Sequence, residues 1–121
     1  QNIKFYYDKP LSLYNSLIHR GDLKNKKSIF SNTLSSILDE TKFKNMHIDF
    51  LSIDAEGKDL EVLQSLDFER YSPKFICIEI WGKTKNKDFE LGGSEIYKFL
   101  ISRKYSLFFN KKENYIFKKG Y

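Results

Sequence analysis

Asp54, Glu56 and Gly57 stand at the end of the apolar run Ile48 to Ile53 and directly before a segment with helical spacing, Lys58 to Phe68. A carboxylate at the end of a buried strand carries a desolvation cost, so it is either well paired or placed there for chemistry. The spacing predicts that Asp54 is partly buried. Glu79 repeats the arrangement inside "KFICIEI", a second apolar run, and is followed by Trp81 and Gly82. In open parallel sheets, ligands gather beyond the carboxyl ends of the strands, where loops and helix N-termini offer backbone donors. Asp54, Glu56 and Glu79 are therefore candidates for orienting a bound group or accepting its proton. Trp81 reads either as a core or rim residue or as a flat platform for a substrate. Glu56 also has a plainer reading, because a carboxylate in a first helical turn is favoured by about 0.3–1 kcal/mol. Gly57 can serve simply to permit a tight turn.

The elements that must position these residues follow from periodicity. "HIDFLSID" suits a strand buried on both faces, "KDLEVLQSLDF" puts Leu60, Leu63 and Leu66 along one helical side, and "SPKFICIEI" is a second strand introduced by Pro73. Strand, helix and strand with short connections form a βαβ unit, which implies parallel pairing and a right-handed crossover. Upstream, "IKFYYD" reads as a short strand stopped by Pro10, Leu11 to Ile29 as an irregular surface loop, and "SNTLSSILDE" as a short helix capped by Asn32 or Thr33. Downstream of the polar loop "WGKTKNKDFELGGS", Ser94 caps "EIYKFLISRK", with Ile96, Phe99 and Leu100 as its apolar stripe. "LGGS" can either bind an anion at that helix start or act as a flexible connection. "YSLFF" and "NYIFK" across "NKKE" read as an antiparallel hairpin closing the sheet. The fold class is α/β, with parallel strands and a C-terminal antiparallel hairpin.

A chain of 121 residues is a single domain at most. Its 40% hydrophobic and 17% aromatic content can pack a core, and 31% charge argues against disorder. No apolar run approaches the roughly 20 residues of a membrane helix, and no signal-peptide pattern opens the chain. The first residue is Gln1 rather than Met, from which we expect residues upstream. Cys77 is the only cysteine and cannot form an internal disulfide, so a reducing, cytoplasmic setting is expected. The net charge of +5 is scattered along the chain, as a solvated surface would have it, and basic and aromatic residues do not interleave as in a nucleic-acid binder. His19, His47 and Cys77 lack metal-ligand spacing, so no metal site is expected. GxSxG, P-loop and GxGxxG motifs do not occur.

"IDFLSIDAEGKDLEVLQSLDF" followed by "SPKFICIEI" resembles the "IDLLKIDVEGxExxVLxGL … PxxIxxE" signature of FkbM-type methyltransferases. "TLSSILDE" is similar to that family's "TLDxLL" segment, and "LISRKYSLFF" to its helix and "GYxLF" ending, so the resemblance runs from about Thr33 to Phe117. Ser35 stands where the family often has Asp, Ser52 where it has Lys, and Lys104 where it has Gly. The resemblance implies a partial Rossmann-like methyltransferase fold, S-adenosylmethionine as cofactor and methyl transfer to a hydroxyl oxygen of a small molecule or sugar. It places Asp54 and Glu56 in the family's acidic turn, as catalytic residues, with Asp54 also meeting the cofactor's methionyl end. Glu79, with Trp81 beside it, falls at the substrate. Such folds hold the cofactor with a glycine-rich turn after their first strand, and this sequence has none. We therefore expect the C-terminal part of a larger methyltransferase domain that binds S-adenosylmethionine weakly or not at all alone. "IKFYY" is expected to add to a sheet edge, with self-association through uncovered sheet. The alternative is a non-catalytic α/β interaction module with a basic surface. Acceptor pockets would be built by Leu11 to Ile29 and Gly82 to Gly93.

Overall fold

The computed structural model describes residues 2–7, 25–82 and 90–120. Six strands among the described residues form two separate sheets. In the smaller, β1 (Asn2–Tyr7) pairs antiparallel with β2 (Asn25–Phe30), Asn2 opposite Phe30. Two expectations change here. The segment Leu11 to Ile29 is not irregular throughout, because Asn25 to Ile29 belong to β2. "IKFYY" also pairs with this ribbon instead of adding to the main sheet. "NKKSIF" carries too many lysines to read as a strand by composition, and only its cross-strand partner makes it one. The stop at Pro10 and residues 11–24 lie outside the described residues.

The larger sheet has the order β3 (Phe50–Ile53), β4 (Phe75–Glu79), β6 (Asn114–Lys119), β5 (Tyr105–Lys111). β3 and β4 run parallel with Ile53 opposite Ile78, as the βαβ spacing requires. β4 pairs antiparallel with β6, and β5 with β6, so the sheet is mixed. The final hairpin turns within two residues, Lys112 and Glu113, tighter than "NKKE" suggests, and a register shift falls between Leu107 and Phe109.

Alternation along β4 sorts the sheet's two faces. Ile76 and Ile78 are buried with Ile53, Phe117 and Tyr105 against Leu63 of α2 (Asp59–Gln64) and Leu100 of α4 (Glu95–Ser102). Each such side chain contributes about 1.5–3 kcal/mol by leaving water. The opposite face carries Phe75 in contact with Phe108, at 5.3 Å between ring centroids. Phe50, level with Phe75, and Phe108 and Phe109 are more than half exposed there.

Helix signals in the sequence fall at the right places with one exception. Thr33 caps α1 (Leu34–Asp39) by accepting from Ser36 N–H, and Ser94 caps α4 by accepting from Tyr97 N–H. "KDLEVLQSLDF" is not one helix: Asp67 ends the run and caps a second short helix, α3 (Phe68–Tyr71), accepting from the amides of Glu69 and Arg70. Leu66 is buried at the break. Ser35 joins α1 to this break, its hydroxyl accepting from Asp67 N–H at 2.6 Å. Beside it, Arg70 reaches Asp39 through both terminal nitrogens, and Tyr71 donates to the same carboxylate. Among the described residues no helix is long and apolar enough to cross a membrane.

Candidate active site

β3 ends at Ile53, and the chain then turns sharply before α2. Lys58 N–H donates to Ala55 O at 3.1 Å, closing a four-residue turn whose central residues, Glu56 and Gly57, have φ of 48° and 93°. Two positive φ values in succession make this a turn of the I′ kind. Gly57 adopts it freely, whereas a side-chain-bearing residue such as Glu56 is disfavoured there by roughly 1–2 kcal/mol.

Asp59 restrains the turn. Its carboxylate, only 8% exposed, accepts Ala55 N–H at 3.0 Å through Oδ1 and Gly57 N–H at 3.2 Å through Oδ2. The buried acid at this junction is thus Asp59. Asp54, expected to be partly buried, is exposed at the end of β3. The reason is the alternation of the strand: Ile53 faces the core, so its neighbours Ser52 and Asp54 face away from it and are both exposed. Sequence reasoning misses Asp59 because it reads as an ordinary first-turn acid. The usable signal is the requirement of a tight turn for acceptors opposite its own amides.

β4 supplies the second wall. Glu79 is half-buried at its end, and Trp81 Nε1–H donates to Glu79 Oε2 at 3.0 Å while the indole is 64% exposed. Ile80 is anchored between them, its side chain buried and its N–H bonded to Glu113 O. The third wall is a 3₁₀ turn, Leu91–Gly93, with Ser94 and the first residues of α4. Of the expected acceptor-pocket segment, residues 83–89 lie outside the described residues.

These walls enclose a cleft of about 800 Å³. It takes in Glu56, Glu79 and Trp81 together, while Asp54 stands outside its lining, on the same sheet edge. Six acids line it among the described residues: Glu56, Asp59, Glu61, Glu79, Glu90 and Glu95. Lysine tempers two of them. Lys58 Nζ lies 2.9 Å from Glu61, holding that carboxyl below its ordinary range, and Lys98 lies 3.0 Å from Glu95. A chain of net charge +5 has therefore gathered carboxylates at one cleft. That donor set fits a cationic ligand, and acids at its edge can orient a hydroxyl or accept its proton. No group of three or more His, Cys, Asp or Glu among the described residues is arranged to hold a metal ion.

β3 and β4 thus run parallel, with the turn that holds Glu56 and Gly57 at their carboxyl edge. The family model for the methyltransferase FkbM domain matches residues 6–108, and the chain belongs to that family. Its class of chemistry is methyl transfer. No curated protein and no solved structure matches the chain.

Proposed function

We propose that this chain carries the acceptor side of an S-adenosylmethionine-dependent methyltransferase acting on a hydroxyl oxygen of a small molecule or sugar. The observation that carries the reading is the convergence of Glu56, Glu79 and Trp81 on one acid-lined cleft at the carboxyl edge of parallel strands. S-adenosylmethionine, when bound, supplies a methyl group activated by a positive sulfonium. The carboxylates of Glu56 and Glu79 favour a positively charged donor at the cleft, and Asp54 meets its methionyl end from the same rim. The indole of Trp81 stacks on the acceptor, and Glu79, held by the indole N–H, orients its hydroxyl. Glu56 or Asp54 takes the hydroxyl proton onto a carboxylate oxygen. Alignment of the acceptor oxygen supplies most of the rate, as positioning does whenever two reactants must meet in line. Incubation of the natural polypeptide that carries this chain with methyl-labelled S-adenosylmethionine and a panel of hydroxylated acceptors tests this. Label in an acid-stable, base-stable ether is expected, and label in an ester or amine product would overturn it.

We further read the chain as the C-terminal part of a larger, Rossmann-like, cytoplasmic domain, inactive by itself. What supports the larger domain is the apolar face of the main sheet that the described residues leave exposed, Phe50, Phe108 and Phe109 around the half-buried Phe75. A contiguous exposed apolar patch of this kind marks a surface that another element or chain covers. Where that face stays open, the same residues favour self-association.

A further inference from the structure

Asp59 is a buried carboxylate at the first position of α2, yet the bonds it makes to Ala55 and Gly57 do not serve that helix. A capping acid reaches forward to the free amides of the first turn. Asp59 instead reaches back, to the two residues flanking Glu56. The residue in the N-cap position, Lys58, makes no side-chain cap bond. The molecule thus leaves the helix start without a side-chain cap while burying a charge to brace a turn. A glycine in place of Glu56 would adopt that turn without bracing. Keeping a glutamate in a disfavoured conformation, with a second acid committed to holding it, makes sense if the Glu56 side chain is used at the cleft it lines.

We propose that Asp59 is a positioning residue, which through the amides of Ala55 and Gly57 holds Glu56 in the left-handed conformation in which it lines the cleft. The catalytic consequence rests on the methyl-transfer reading above; the conformational part does not.

The test is a double-mutant cycle on the natural polypeptide: wild type, Asp59→Asn, Glu56→Gly and the pair combined. An asparagine side chain offers one acceptor oxygen where two amides need one each, so Asp59→Asn removes one of the two bonds and keeps the other. Without any ligand, Glu56→Gly is expected to raise the thermal midpoint and Asp59→Asn to lower it. The loss from Asp59→Asn should be smaller in the Glu56→Gly background, where less strain remains to be held. In methyl transfer, each single change should lower kcat by roughly ten- to a hundredfold, the range that misplacement of a reacting group produces. In the Glu56→Gly background, Asp59→Asn should then lower kcat little further. Asp59→Glu keeps both oxygens and should recover part of the activity, which a purely volumetric role for Asp59 would not allow. If Asp59→Asn does not fold, Glu56→Gly and Asp59→Glu still decide the matter. Equal losses from Asp59→Asn in both backgrounds, or a lowered midpoint for Glu56→Gly, would overturn the proposal. Absence of methyl transfer in the wild type would count against the functional reading alone, since the ligand-free arm stands by itself.

Discussion

The indole of Trp81 and the carboxylate of Glu79 are joined by a 3.0 Å hydrogen bond, which favours one orientation of the exposed ring at the cleft. An exposed tryptophan is otherwise free to rotate, and restraining it removes part of the ordering cost of binding. Trp81→Ala should raise the acceptor KM by roughly three- to tenfold, the equivalent of about 0.5–1.5 kcal/mol for a lost aromatic contact. Trp81→Phe, which keeps a ring but releases Glu79, should fall between. Steady-state kinetics with varied acceptor measures both, and unchanged KM in Trp81→Ala would remove the ring from the site.

Acid should loosen the contact between α1 and α3. Arg70 beside Asp39, followed by the Tyr71 hydroxyl, holds the Asp39 carboxyl at about 2 against an ordinary value of 3.8. A depressed acid stabilises the fold fully above its unfolded value and loses that contribution as pH falls through its folded value. The wild type should thus lose stability between about pH 4 and pH 2. Asp39→Asn should be less stable than wild type at neutral pH and converge with it at the acid end. Urea unfolding across that range checks this, and parallel profiles would refute it.

The core between sheet and helices hangs on few side chains. Leu63 is fully buried at the centre of the cluster with Ile76, Ile78 and Phe117. Leu63→Ala should cost about 2–5 kcal/mol, as removal of buried methyl groups does where neighbours cannot collapse. Chemical denaturation reads the loss, and a cost below about 1 kcal/mol would mean that the cluster is not close-packed.

The open face makes a separate demand. Phe108 is 60% exposed and meets Phe75, with Lys118 Nζ 5.9 Å from its ring centroid. If this face drives association, light scattering of the chain at high concentration should give a mass above that of one copy. Phe108→Ser should reduce it. A sharp monomer for the unsubstituted chain would contradict the role of the face.

Much of this arrangement is legible in the residues themselves. Apolar runs ending in Asp54 and Glu79 point to the parallel pair, because unbroken hydrophobic strands separated by a short helical stripe leave few other topologies. Ser94 and Thr33 announce their helices by capping chemistry that is local and therefore visible in sequence. What depends on distant partners is not visible. β2 is a strand only through β1, and the hydrogen bond that ties the break after α2 to Ser35 spans 32 positions. At the site, Asp54 faces away from the core beside the buried Ile53, and Asp59 is buried because its carboxylate folds back onto the amides of Ala55 and Gly57, a partnership that residue type alone does not specify. Glu90 and the first acid of α4, Glu95, join the cleft only through the packing of α4 against β5, α2 and the 3₁₀ turn before it.

The claim on which the rest depends is that the cleft between Glu56 and Trp81 serves a cationic methyl donor and its acceptor. Calorimetric titration of S-adenosylmethionine into the natural polypeptide that carries this chain, beside its Glu56→Gln and Glu79→Gln variants, tests it most directly. The account predicts saturable binding in the wild type, weakened in both variants and weak in the isolated chain. Binding that neither substitution alters, or no binding by the natural polypeptide, would contradict it.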